Sequence, residues 1–67
     1  MSQYYVAEYS ASQNCFHVDT LQRVLRLNRA NALGQRSVDY QIIAICSTDD
    51  EAMDVCREFR KEQSRAC

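Results

Sequence analysis

The chain predicts an α+β fold: one small domain over residues 1–67, ordered β-β-α-β-α. Three observations carry that expectation. Two short stretches of aromatic and β-branched residues, 4–9 and 15–18, stand close together near the start. A third such stretch, 38–46, contains the longest apolar run of the chain, residues 42–46. Two segments with apolar residues at helical spacing flank that third stretch, each opened by a residue able to cap a helix.

In the first strand Tyr5, Ala7 and Tyr9 fall on one side, and Tyr4, Val6 and Glu8 on the other, by the two-residue alternation of extended chain. Residues 10–14 are small and polar, as a hairpin loop requires, so residues 15–18 are expected to return antiparallel. Phe16 and Val18 then point one way, Cys15 and His17 the other. Asp19 or Thr20 can cap a helix over about residues 20–33, with Leu21, Val24, Leu25, Asn28 and Ala32 turned inward. Gly34 follows where left-handed backbone usually ends a helix. The strand at 38–46 is apolar on both sides in its inner half, the pattern of a central strand. Thr48 and Glu51 then form a capping box, and Asp49 and Asp50 complement the positive end of a helix dipole. That second helix, about 49–65, carries Ala52, Val55, Cys56, Phe59 and Gln63 on one face. The simplest packing is two layers, a three-stranded sheet with both helices on one face. A right-handed parallel crossover would join the second strand to the third.

Composition narrows the functional classes. Of the 67 residues, 46% are apolar and 25% charged, the balance of a folded chain rather than a disordered one. Proline is absent and glycine occurs once, which leaves no linker or low-complexity tail. The N-terminal residues lack the basic and apolar regions of a signal peptide, and no apolar run approaches a membrane span. A cytoplasmic location is therefore expected, with the four cysteines reduced.

The chemistry-bearing residues do not form a recognisable active site. Cys15 and His17 are strand neighbours two apart, about 6.6 Å along the backbone, too far for a nucleophile and its base without a special geometry. No glycine-rich oxyanion or phosphate loop accompanies them. The spacing of Cys15, His17, Cys46, Cys56 and Cys67 matches no close-paired zinc motif, and Cys46 falls on the opposite side of the sheet from Cys15. Cys46 and Cys56 read as small buried hydrophobes. No catalytic residue, metal or cofactor is expected.

Two surfaces remain as candidates for binding. With both helices on one side, Tyr4, Val6, Cys15, His17, Ile43 and Ile45 would line the uncovered face of the sheet, where apolar residues mark a contact surface. The second surface is electrostatic. Between Asp19 and Asp39 there is no acid, and Arg23, Arg26 and Arg29 recur every three residues along the first helix. Such a stripe suits an acidic protein or phosphates. The sequence pI of 5.7 disfavours nucleic acid as the main partner.

The expected protein is thus a non-enzymatic accessory or binding protein working through protein–protein contacts, with homo-oligomer formation through the open sheet face. Short, self-contained chains of this kind often act as inhibitors or regulators, for instance those carried by bacteriophages or mobile elements. The alternative is a small nucleic-acid-binding regulator using the Arg23, Arg26 and Arg29 helix.

Overall fold

A computed structural model describes residues 3–36 and 39–65. Val38, expected to open the third strand, and Cys67 lie outside these residues. The order is β-β-α-β-α, an α+β protein with one open three-stranded sheet.

Strands β1 (Tyr5–Ser10) and β2 (Cys15–Thr20) form the hairpin, with Ala7 opposite Val18 and Tyr9 opposite Phe16. Asn14 ends the loop with φ of 52°, a left-handed position that a short polar side chain tolerates. Its Oδ1 accepts from the Tyr9 hydroxyl at 2.9 Å. Helix α1 (Leu21–Leu33) follows β2 without a loop, because Thr20 is both the last strand residue and the N-cap. The Thr20 hydroxyl accepts from the Arg23 N–H at 3.3 Å, and the Leu21 N–H donates to the Tyr4 carbonyl at 2.9 Å. These bonds satisfy donors that a helix start leaves unpaired and tie α1 to the edge of β1.

The far end of α1 is closed by two bonds, Arg36 N–H to the Asn31 carbonyl and Gln35 N–H to the Ala32 carbonyl. That is the Schellman arrangement, in which the residue after the cap is left-handed. Here this residue is Gln35, with φ of 56°, while Gly34 is right-handed at −84°. The glycine is therefore the C-cap as expected, but the left-handed turn falls one residue later.

Strand β3 (Tyr40–Cys46) pairs antiparallel with β1, giving the order β2-β1-β3. β1 is thus the central strand and β3 an edge, the reverse of what the apolar run in β3 implied. β1 carries the buried residues instead: Val6, Ala7, Glu8 and Ser10 are all enclosed. β2 and β3 run in the same direction on either side of β1, so the crossover through α1 passes over the central strand. Helix α2 (Asp49–Arg65) begins after Thr48, whose hydroxyl accepts from the Glu51 N–H at 3.2 Å, and the Ser47 hydroxyl donates to the Glu51 carboxylate at 3.1 Å. No described helix is long and apolar enough to cross a membrane.

The helices do not share a face. α2 packs across all three strands on the side of Ala7, Tyr9 and Phe16, where Phe59 stacks 4.9 Å from Tyr9 and 5.7 Å from Phe16. α1 packs on β2 and β1 from the other side, closing a groove with Glu8, His17 and Tyr40. Glu8 and His17 precede and follow the aromatic pair in their strands, so alternation places them on the opposite face. The molecule has three layers, helix, sheet and helix. The physical cause is local: a helix that starts directly at Thr20, pinned to the Tyr4 carbonyl, has no linker with which to reach the α2 side.

A β-bulge shifts the register between β1 and β3, with Ala44 opposite Ala7 but Ile42 opposite Glu8. The extra residue, Ile43, lies with Val55 and Phe59 of α2, while Tyr40 and Ile42 turn to the α1 side. Strict alternation assigns these three residues the other way round. Such an insertion makes two residues face one partner and inverts the pattern beyond it.

Candidate functional site

α1 covers only part of its side of the sheet. Val24 is its one fully buried residue, and Leu27, Asn28 and Asn31 complete its inner side above the groove. Leu25, expected inside, is 55% exposed and lies with Gln22, Arg26 and Arg29 on the outer surface. The open groove between α1 and the sheet has a volume of about 250 Å³ and is lined by Glu8, His17, Val24, Leu27, Asn28, Asn31 and Tyr40. On the same face of the sheet the β3 half is bare: Ile42 and Ile45 are 44% and 56% exposed, and Leu27 in the groove lining is 50% exposed.

A chain of polar contacts borders this strip. A four-residue loop pairs Ser10 with Cys15 and therefore Glu8 with His17. The His17 Nδ1 lies 3.4 Å from the buried Glu8 carboxylate and its Nε2 3.6 Å from Asp19. Asp19 also meets the Arg23 guanidinium at 3.4 Å. Cys15 Sγ is 3.4 Å from the Tyr40 hydroxyl and 3.8 Å from Gln13 Oε1. Tyr40 crosses the His17 ring edge-on, with centroids 5.8 Å apart. The bond to Cys15, followed by burial, holds the Tyr40 phenol above its ordinary value. Cys15 and His17 thus share a face as alternation implies, but their hydrogen bonds run to different partners. Among the described residues no group of three or more His, Cys, Asp or Glu is arranged to hold a metal ion.

The named surface residues scatter. Tyr4 is 47% exposed at the start of β1, and Ile45 is exposed on the bare strip, but Val6 is wholly buried beneath α1 and Ile43 faces α2. Tyr4, Val6, Ile43 and Ile45 therefore form no continuous patch. The strip on the α1 side includes Leu27, Ile42 and Ile45, of which only Ile45 belongs to the set expected on the uncovered face. Leu27 was legible as the residue three after Val24; Ile42 was hidden by the bulge. Arg23, Arg26 and Arg29 remain on the surface, with Arg23 drawn to Asp19 and away from the outer stripe. Cys15, Cys46 and Cys56 are free thiols, and burial, then the neighbouring Cys46, pushes the Cys56 thiol up.

The Ser10 end of β1 is closed by a further contact. The buried Ser10 hydroxyl and the Ser12 hydroxyl both donate to the Asp39 carboxylate, and the Ser10 oxygen accepts from the Gln13 N–H at 3.2 Å. The Ser10 bond first, and then the Ser12 bond, hold the Asp39 carboxyl below its ordinary value of 3.8. A carboxylate depressed in the folded state stabilises the fold above its unfolded value, and that contribution is lost as pH falls through the folded one. In urea titrations, Asp39→Asn is expected to be less stable than the parent at about pH 7, with the gap narrowing as pH falls below the ordinary carboxylate range. A gap that persists unchanged into acid would contradict this assignment.

Comparison with protein-family models, with curated proteins and with solved structures returns no match. The fold and the strip define a small α+β protein whose sheet is covered by a helix on each face, incompletely on the α1 side.

Proposed function

We propose that this protein is a non-enzymatic binding protein of the reducing cytosol that acts through protein–protein contact, using the strip of sheet that α1 leaves bare. The observation that carries this reading is that Leu27, in the lining of the Glu8–His17 groove, and Ile42 and Ile45, on the same side of the sheet, are each about half exposed. Three large apolar side chains gathered on one side of so small a chain mark a contact surface better than scattered exposure does. A second copy of the chain is the first occupant to expect. The rim of the strip carries both signs, Asp19 beside Arg23, so two copies can meet there without like-charge repulsion.

The nucleic-acid reading has less behind it. The outer stripe of α1 holds Arg26 and Arg29, but the exposed Leu25 shares that surface, and an apolar side chain contributes nothing to phosphate binding. Light scattering decides between the two readings. The parent is expected to self-associate at high micromolar concentration, and Ile45→Asp to shift it to monomer with its circular dichroism unchanged. A parent that is monomeric throughout, or an Ile45→Asp variant that associates equally well, overturns the self-association reading. Salt-sensitive binding to DNA or RNA that Arg26→Glu abolishes would support the alternative instead.

A further inference from the structure

We propose that the free edge of β3 accepts an extended basic segment of a partner protein, which joins the sheet as a fourth strand beneath the acidic flank of α2. The inference uses a different surface from the bare strip and stands whether or not the chain self-associates.

The two edges of the sheet are unlike. β2 carries the charged Asp19, and a charge on an edge strand discourages another strand from adding. β3, the other edge, reads Tyr-Gln-Ile-Ile-Ala-Ile-Cys and carries no charge at all. Its outward backbone N–H and C=O groups have no strand beside them among the described residues, so they are a template for strand addition. An edge of this composition, without charge or proline and interrupted only by the bulge at Ile43, is the kind that natural proteins otherwise protect.

What protects it here points to the partner. Above the β3 edge, on the α2 side, lies an open groove of about 330 Å³ with Ile43, Val55 and Phe59 as its floor and Asp54, Glu58 and Glu62 as its rim. The three acids are spaced four residues apart, about 6 Å along a helix. Alternate residues of a strand are about 6.7 Å apart. The two spacings are close, and all three acids line the groove beside Ile43, so alternate side chains of a strand laid along β3 come within reach of them. Arginine or lysine fits that position doubly, with its methylene stem over the apolar floor and its charge at the rim. Asp54 pairs with Arg57, and Glu58 lies 3.4 Å from Lys61, but these are exposed pairs within the helix and are weak.

The same acids disfavour a second copy at this edge. Two β3 strands pairing about a two-fold axis would set the Asp54, Glu58 and Glu62 row of one α2 against that of the other. Like charges so placed suppress the symmetric pairing and leave a basic strand as the favoured occupant.

The test uses the full chain, labelled for NMR, and a synthetic peptide alternating arginine with valine, with a glutamate-for-arginine version as control. The basic peptide is expected to slow amide hydrogen exchange specifically within β3 and to shift the Ile43, Val55 and Phe59 signals. The Glu58→Lys, Glu62→Lys double variant, altered only at exposed helix positions, is expected to bind at least ten-fold more weakly, and added salt to weaken the parent complex. Absence of binding at millimolar peptide, protection that maps to β2 or α1, or equal binding by the double variant or the acidic control would each overturn the proposal.

Discussion

Phe59→Ala is expected to remove most of the stability of this protein. Phe59 closes a three-ring cluster that joins α2 to both strands of the hairpin: Tyr9 and Phe16 lie 5.1 Å apart, and Phe59 contacts each of them. Gln63 donates to the Tyr9 hydroxyl at 2.8 Å, and the Arg60 guanidinium lies 4.8 Å from the centre of the Phe16 ring, so the cluster also seats the last turns of the helix. Truncating a buried phenylalanine costs about 3–5 kcal/mol, and the partial exposure of Phe59 brings its cost to or below the lower end of that range, about 2–3 kcal/mol. A core in a chain of this length supplies only about 3–5 kcal/mol in total. Urea denaturation followed by circular dichroism should therefore show a midpoint reduced by half or more, and Phe59→Leu should recover much of it. A loss below about 0.5 kcal/mol, the scale of surface substitutions, would mean that the cluster does not hold α2 to the sheet.

The second large effect concerns the other face. Val24→Asp is expected to cost roughly 3–4 kcal/mol, because it puts a carboxylate at a site that is 1% exposed and on the same side of the sheet as the buried Glu8. Leu25→Asp, one residue along, should change stability by less than about 0.5 kcal/mol, since Leu25 points outward beside Arg29, one turn further on. The contrast between neighbours is the informative quantity. With Val24 and Leu25 both turned to the core, as the hydrophobic spacing alone suggests, the two substitutions would be equally harmful. Comparable destabilisation by both in urea titrations would reject the placement of α1 described above.

The legible parts of the structure share a cause. The inner stripe of α2 is Ala52, Val55, Cys56, Phe59 and Gln63, and every other described residue of that helix is exposed. A helix against a flat sheet buries one narrow face, so its pattern survives in the order of residues. Its start is equally local, since Thr48 and Glu51 are three apart and make the expected capping bond. The hairpin follows from a short polar loop, and with it the sharing of one face by Cys15 and His17.

The candidate surfaces were less legible. The acid that meets His17 from β1, Glu8, could be placed by counting across the loop, whereas the bare strip could not. Ile42 is exposed and Ile43 turned to α2 only because a bulge falls in an apolar run, where no polar residue marks the phase. Leu25 looked suitable for the core, yet it lies on the outer side of α1, while Leu27, half exposed, lines the groove with Asn28 and Asn31.

By itself the order of residues determined what short-range physics controls: three strands, two capped helices, the hairpin, and the face that α2 presents. Only the tertiary structure decided which strand is central, which face each helix covers, and hence which apolar residues are left uncovered. Those choices depend on the absence of a linker after Thr20 and on one extra residue in β3. Both are small local features, and each reassigns a whole set of side chains from one side of the sheet to the other.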